Sequence, residues 1–359
     1  MVNALNLQRL AAECSKLMDF FLPYTALTHP EIALMALALD LKFGDPPLPW
    51  PHPVTFIGKI YKLVEPLGLG LSHYSERFAP IVGRLVGGLI LVLTMGLVAS
   101  LVFLLLQIPY VGYVLAIYLA WAGLAMGCLL ETGQIVYHAI EEEPLSEAQA
   151  KVSWLVTRET KRMDRPLLRK TLADTLTENF TDALTAPFFW LLLTGPIGLW
   201  VYKASSTMDS MWGYLTPKWR YLGWAGARCD DLLAFIPARI SIVVTGLTDF
   251  IVRKFFPKKR IWQGRWPGFS TVAHQAWGMP SPNSGCPMAA FAWLLKARLG
   301  GPSVYFGENV PKPWLGVDAQ SAKPWDRHLL RDLFLALKAA SIIGMVFLWL
   351  LIVLLAWFC

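Results

Sequence analysis

Long apolar runs alternate with polar stretches along this chain. Leu85–Leu106 is almost wholly apolar, and so is Val111–Leu130. Each is about the 20 residues a helix needs to cross a bilayer. The link Gln107-Ile108-Pro109-Tyr110 is short and uncharged, so the two predict a helical hairpin. Ala339–Cys359 is a third clean span. The run 186–202 is apolar but interrupted by Gly195-Pro196, which predicts a broken, re-entrant helix, tolerated where protein buries the freed backbone. The alternative is a return crossing through 232–252, which has to carry Arg239 and Asp249 and is costly unless both are paired. Glu31–Leu41 is apolar but too short to span. Residues 1–30 predict an amphipathic extension, with Leu7, Leu10, Ala11, Leu17 and Met18 forming the stripe. The expected fold is an all-α integral membrane protein: a polytopic helical bundle of four to six membrane segments, some re-entrant, with cytoplasmic polar loops. The membrane domain covers 31–338 and the C-terminal transmembrane helix 339–359.

Composition agrees. Charged residues make up 16% of the 359, against about 25% in soluble domains. Mean hydropathy is +0.46. The sixteen Trp and eleven Tyr suit interfacial belts. A net charge of +7 is explained by basic cytoplasmic loops rather than by nucleic acid. The cluster Lys151, Arg158, Lys161, Arg162, Arg165, Arg169 and Lys170 places 131–187 inside and the 107–110 link outside. The N-terminus is then cytoplasmic and the C-terminus outside. The five cysteines form no CxxC pair, so neither a zinc signature nor a disulfide framework is expected. The N-terminus shows no basic region followed by a long apolar core, so no cleaved signal peptide is expected. P-loop and GxGxxG patterns are absent.

Two stretches stand out for chemistry. In Gly44–Lys59, five prolines within eight residues predict a rigid loop presenting Asp45, Trp50 and His52. It is either a ligand-holding element or a cap over helix ends. In Leu172–Pro187, Asp174, Glu178 and Asp182 recur every four residues and share one helical face, with Asn179 and Thr181 beside them. Like charges at that spacing repel by roughly 0.2–0.5 kcal/mol per pair. The face is either solvated or holds a cation, and that cation is a metal or one of Arg158 and Arg162. These two arginines are expected four apart on a helix ending before Pro166.

The order GDP…PHPVTFIG, TRET, ENFTDALTAPFFW, TMDSMWGY, ARCDD, PAR, SPNSG and LGG…YFG resembles the CobD/CbiB family of cobalamin biosynthesis, the adenosylcobinamide-phosphate synthases. The resemblance runs from about Glu31 to Gly307. It implies a bacterial inner-membrane ligase that joins a carboxylate of adenosylcobyric acid to the amine of aminopropanol or its phosphate. ATP and Mg²⁺ are implied with it, as are cytoplasmic active-site loops. The implied partners are the corrinoid, the amino alcohol and the lipid bilayer, with room for other corrinoid-pathway membrane enzymes. On that reading Glu178, Asp182 and Asp209 are the expected Mg²⁺ ligands. Glu178, Asp182, Asn179 and His52 form the catalytic set, with His52 as a possible general base or a structural histidine. Arg158, Ser210, Arg228, Asp230, Asp231, Arg239, Asn283 and Gly285, together with Asp209, are the expected substrate and phosphate contacts. Gly300 and Gly301 are further positions where backbone approaches closely.

The chain departs from the family pattern at Asp174, Ala183, Ser206, Thr157 and Glu159. Met279 stands where the family usually has histidine. That loss leaves open a non-catalytic paralogue, a scaffold or a sensor. A corrinoid transporter is disfavoured, since no paired inverted repeats are evident.

Overall fold

The computed structural model describes residues 24–358 except 27, 48, 50, 73–77, 157, 258–261 and 306–307. Most of the 1–30 extension, Trp50 and Thr157 therefore lie outside the described residues. The chain is a multi-pass helical membrane protein. Among the described residues, five helical stretches are long and apolar enough to cross a bilayer: Ala79–Leu106, Gly112–Glu142, Arg165–Trp212, Trp224–Phe255 and Arg327–Leu355. The chain divides into two compact units.

The first unit contains 1–124, 187–232 and 349–359. Its helices are α1 (Pro30–Phe43), α2 (Pro53–Ser72), α3 (Ala79–Leu106), α4 (Gly112–Gly123) and α8 (Ala186–Trp212, except its first residue), with most of α9 (Trp224–Leu233) and the end of the chain. α2 packs on α3, and α1 on α4. In α3 the residues Gly83, Gly87, Leu91, Thr94, Val98, Val102 and Leu106 form one buried stripe. Leu85, Leu89, Val92 and Leu93 are each more than half exposed. So broad an apolar surface around a single packed stripe is a lipid-facing helix. Gly87 permits the packing, because a Cβ there would sit 2.0 Å from the Leu222 carbonyl oxygen. α1 spans only 14 residues, as its length in sequence required.

The proline loop is shorter than expected. Pro53 takes the first turn of α2, where its missing N–H costs nothing, so residues 54–59 are helical rather than extended. α3 and α4 form the expected hairpin, with Tyr110 fully exposed at its tip in a left-handed conformation, φ 63°. The second predicted span, 111–130, is not one helix: α4 stops at Gly123, and Leu124 is extended, ψ 157°. Gly195 interrupts α8 with φ 66° and ψ −164°, so 186–202 is a broken helix as Gly195-Pro196 predicted.

The second unit contains 125–186 and 233–348. It holds α5 (Met126–Glu142), α6 (Leu145–Ser153), α7 (Arg165–Glu178), a π-helical turn (Thr181–Thr185), α10 (Phe235–Phe255), α11 (Phe269–Ala276), α12 (Gly285–Leu295) and α13 (Arg327–Ala339). The helix that begins with α13 runs on through a second π-turn at Ala340–Gly344 into α14 (Met345–Phe358). Two antiparallel ribbons pair β1 (Arg298–Gly300) with β4 (Trp314–Gly316) and β2 (Ser303–Tyr305) with β3 (Glu308–Val310). α12 is the centre of this unit, with every residue from Gly285 to Ala292 buried. Gln275 fixes β4 to α11: its amide pairs with both the N–H and the carbonyl of Gly316 at 3.0 Å, and it accepts from Trp293 Nε1 at 2.9 Å.

Pro166 starts a helix rather than ending one. Asp164 caps α7, accepting from Leu167 N–H at 2.9 Å, and Pro166 occupies the first turn. Arg158 and Arg162 accordingly lie in the loop before α7, not on a helix of their own. α10 meets the condition set for a return crossing. Arg239 donates to Asn283 Oδ1 at 2.9 Å, while Asp249 pairs with Arg253 at 2.6 Å and accepts from Trp262 Nε1 at 2.7 Å.

Between Gln107 and Lys161 lies one helical stretch, Gly112–Glu142, that is long and apolar enough to cross a bilayer. Single cysteines placed at Gln107 and at Lys161 in a cysteine-depleted background should therefore be labelled from opposite sides of sealed vesicles. Labelling of both from one side would contradict this topology.

Candidate active site

From Thr171 to Phe188 the chain is buried except at Glu178, Asn179 and Asp182, which are partly exposed. These three are the polar residues that the spacing singled out. The backbone explains why this face opens. Pro187 has no N–H, so the Ala183 carbonyl lacks its usual helical partner. It accepts instead from Ala125 N–H at 2.9 Å, at the break between α4 and α5. The chain compensates with a π-turn in which Ala186 N–H reaches back to the Thr181 carbonyl. Turns of this kind concentrate at functional sites. Thr181 and Thr185 each keep a buried hydroxyl with no hydrogen-bond partner among the described residues. Asn179 closes α7 and donates to the Thr175 carbonyl at 2.9 Å.

The three carboxylates divide into two roles. Asp174 is fully buried. Its Oδ2 meets Arg158 Nη1 at 2.8 Å and Lys170 Nζ at 2.9 Å, and its Oδ1 accepts the Gly300 N–H at 2.9 Å. Asp174 is thus the anchor that fastens β1 to α7. The cation proposed from sequence for the acidic face is, for Arg158, a partner of Asp174. Glu178 faces the cations Lys312 and Arg158 and the carboxylates Asp174 and Asp182. Glu178 and Asp182 remain the pair that lines the open face.

Arg239, Asn283 and Gly285 come together in the second unit. Arg239 stacks 3.6 Å above the Phe235 ring centroid and holds Asn283, which is buried. A Cβ on Gly285 would lie 2.6 Å from the Ala276 carbonyl oxygen, so its smallness serves the α11–α12 contact. Met279 is also buried there and would meet the same Cβ at 2.9 Å. Gly300 and Gly301 have φ of +70° and +75°, which explains the glycines by backbone conformation.

Asp209, Ser210, Arg228, Asp230, Asp231 and His52 belong to the first unit. Ser210 donates to the Ser206 carbonyl at 2.9 Å, and Arg228 reaches Asp231 at 3.4 Å on α9. His52 precedes α2. Its Nδ1 accepts the Val54 N–H at 3.3 Å, which assigns the neutral ring's proton to Nε2. It therefore caps the helix and, in this tautomer, has no lone pair to offer as a base.

Burial pushes the His52 pKa below its ordinary 6.5, and Lys203 adds to the shift. Asp45 and the nearby Ala122 carbonyl oppose it. A histidine kept neutral in the fold favours the folded state above its unfolded pKa and loses that contribution as pH falls. The melting temperature in detergent should drop between pH 7 and the lowered value, and His52→Asn should flatten this slope while keeping the cap. An unchanged slope in the variant would remove His52 from the account.

Among the described residues no three His, Cys, Asp or Glu side chains group as a metal site. Magnesium commonly takes one or two carboxylates and completes its octahedron with water and phosphate oxygens. The Glu178–Asp182 pair on its open face fits that donor set. Sequence reasoning missed Lys170 and Lys312. Lys170 was legible in principle, since it stands four residues before Asp174. Lys312 is 134 residues beyond Glu178 and carried no local signal.

The family model described as "CobD/Cbib protein" matches residues 33–357. "Cobalamin biosynthesis protein CobD" of Photorhabdus laumondii is 36% identical over 284 residues, covering 78% of this chain and 85% of the relative. The protein of the same name from Klebsiella pneumoniae is 34% identical over 285 residues, 79% and 85% of the two chains. "Cobalamin biosynthesis protein CbiB" of Salmonella arizonae is 32% identical over 287 residues, 80% and 86%. No solved structure matches the chain.

Proposed function

The chain belongs to the CobD/CbiB family, and from that premise we propose that it is the adenosylcobinamide-phosphate synthase of cobalamin biosynthesis. It forms the amide between a carboxylate of adenosylcobyric acid and the amine of aminopropanol or its phosphate. The observation that carries the reading is the open Glu178–Asn179–Asp182 face on an otherwise buried, π-interrupted helix.

A carboxylate and an amine do not condense unaided in water. ATP would supply the phosphoryl group that activates the carboxylate, and Mg²⁺, when bound, would neutralise its charge. Glu178 and Asp182 would hold the metal. Glu178 is kept close to Arg158 and Lys312, cations suited to phosphate oxygens. Asp174 fixes Arg158, so the guanidinium is oriented before any ligand arrives. Gln275, Asn283 and Arg239 hold α10, α11 and α12 in register and act on structure. The active face is cytoplasmic in a bacterial inner membrane, in keeping with the basic 151–170 stretch.

The second reading, a non-catalytic paralogue, rests on Met279. It is buried and packs beside Gly285, where a histidine would introduce a polar group. Complementation separates the two. A corrinoid auxotroph lacking the synthase and fed cobyric acid should grow when it carries this chain. Failure to grow, with the protein present in the membrane, would favour the paralogue.

A further inference from the structure

α10 ends at Phe255, and the apolar stretch Trp224–Phe255 ends with it. A helix of that length reaches the bilayer surface at its end. A cavity of about 640 Å³ opens there. One wall is the α10 face of Gly246, Asp249, Phe250, Arg253 and Lys254, and the other is the loop segment 263–266. We propose that this cavity holds the headgroup of an anionic phospholipid, with an acyl chain lying along α10.

The walls are tied together without a ligand. Trp262 is buried and donates from Nε1 to Asp249 Oδ1 at 2.7 Å. Arg253 Nε donates to the same oxygen at 2.6 Å, and its Nη2 donates to the Gly264 carbonyl. The Gly264 N–H donates to the Leu294 carbonyl, near the end of α12, at 3.0 Å. A Cβ on Gly246 would lie 2.6 Å from the Trp266 ring, so that indole rests directly on the helix. A site fixed in advance loses little entropy when it is filled.

The charge is unbalanced toward an anion. Asp249 is the acid in the lining, and Arg253 is its partner. Lys254 and Arg265 are exposed, and neither forms an ion pair among the described residues. Lys254 Nζ lies 5.7 Å and 5.5 Å from the Phe250 and Phe255 ring centroids, contacts that leave its charge in place. Three cations and one carboxylate therefore leave two positive charges on the wall. The sequence carries six Lys or Arg from 253 to 265 and no Asp or Glu from 250 to 307. A basic cluster at the end of a membrane helix attracts anionic headgroups, and an arginine fork suits a phosphate.

The apolar surface selects a lipid over a soluble anion. Ile236, Val243 and Phe250 recur every seven residues, share one face of α10 and are all exposed. Phe250 also borders the cavity, so an exposed apolar track runs into a cationic pocket. A free phosphate would use the cations and leave that track bare. Phe255 and Phe256 are exposed at the same level, as aromatic residues at a membrane surface are. The inference does not rest on the synthase reading.

The test is equilibrium binding to the full-length protein in detergent, with dioleoyl phosphatidylglycerol, dioleoyl phosphatidylcholine, glycerophosphate and Mg-ATP as probes. Phosphatidylglycerol should bind about tenfold or more tighter than phosphatidylcholine, and glycerophosphate, which has no acyl chain, should bind far more weakly. Lys254→Gln combined with Arg265→Gln should bring phosphatidylglycerol down to the phosphatidylcholine level, and each single substitution should give part of that loss. Melting temperature should hold in all three, because neither side chain is tied into the fold. Lys254→Arg combined with Arg265→Lys should keep the preference. Equal binding of the two lipids, or a preference that survives removal of both charges, would overturn the proposal. Glycerophosphate binding as tight as phosphatidylglycerol would make this a soluble-anion site and overturn it as well. So would a parallel loss of Mg-ATP binding in the charge variants, since the cavity would then belong to the nucleotide. A protein that makes product normally but does not distinguish the two lipids would sink this inference alone.

Discussion

Glu178→Gln should abolish amide formation while the protein inserts, purifies and melts within a few degrees of the wild type. The substitution keeps size and removes charge. Among the described residues Glu178 forms no salt bridge; Lys312 and Arg158 act on it through their charge. Its side chain lies on the open face, and the buried cation cluster nearby is held by Asp174 instead. Loss of a group that stabilises transferring phosphoryl charge costs several kcal/mol, or at least a hundredfold in rate. Asp182→Asn should show the same pattern at smaller amplitude, because one carboxylate remains for the metal. Yield, melting temperature and turnover measured on the same purified preparation separate a catalytic from a structural role. A Glu178→Gln protein that turns over at the normal rate would remove the carboxylate from the chemistry.

Asp174→Asn should give the opposite result. Asp174 is fully buried and carries three contacts: Arg158, Lys170 and the Gly300 N–H. An amide can still accept from Gly300 but cannot neutralise two cations. Breaking a buried pair by removing one partner costs about 3–5 kcal/mol. In a unit of this size that is a fall in melting temperature on the order of 10 °C or more. The expected readout is poor yield and early unfolding, with activity per folded molecule falling because Arg158 loses its orientation. Normal stability in this variant would contradict the division of the acidic face into an anchor and a site.

That division marks where sequence reading reached its limit. The four-residue recurrence of Asp174, Glu178 and Asp182 was visible on one helix. Periodicity treats the three alike, and only tertiary contact distinguishes them. Gly300 is 126 residues from Asp174, and Arg158 is 16 away across a loop. The lipid-facing α3 was legible because its run is unbroken, and Gly195-Pro196 announced its break openly. The break at Leu124–Ala125 was not legible. Nothing in that run forbids a helix, and the interruption is completed by the Ala183 carbonyl that Pro187 leaves free. Pro166 and Pro53 were misread for one reason. A proline that ends one pattern is equally the favoured first residue of the next helix, and the Asp164 cap decides it at Pro166. His52 was open between base and cap, and its bond to Val54 favours the cap.

The most direct test of the synthase assignment is a reconstituted reaction. Purified protein in lipid nanodiscs is given adenosylcobyric acid, aminopropanol phosphate and Mg-ATP, and the corrinoid products are followed by mass spectrometry. The account predicts adenosylcobinamide phosphate, formed with equimolar consumption of ATP and lost when Mg²⁺ is chelated or Glu178 is replaced by Gln. Adenosylcobyric acid recovered unchanged from a folded preparation that binds both substrates would contradict it.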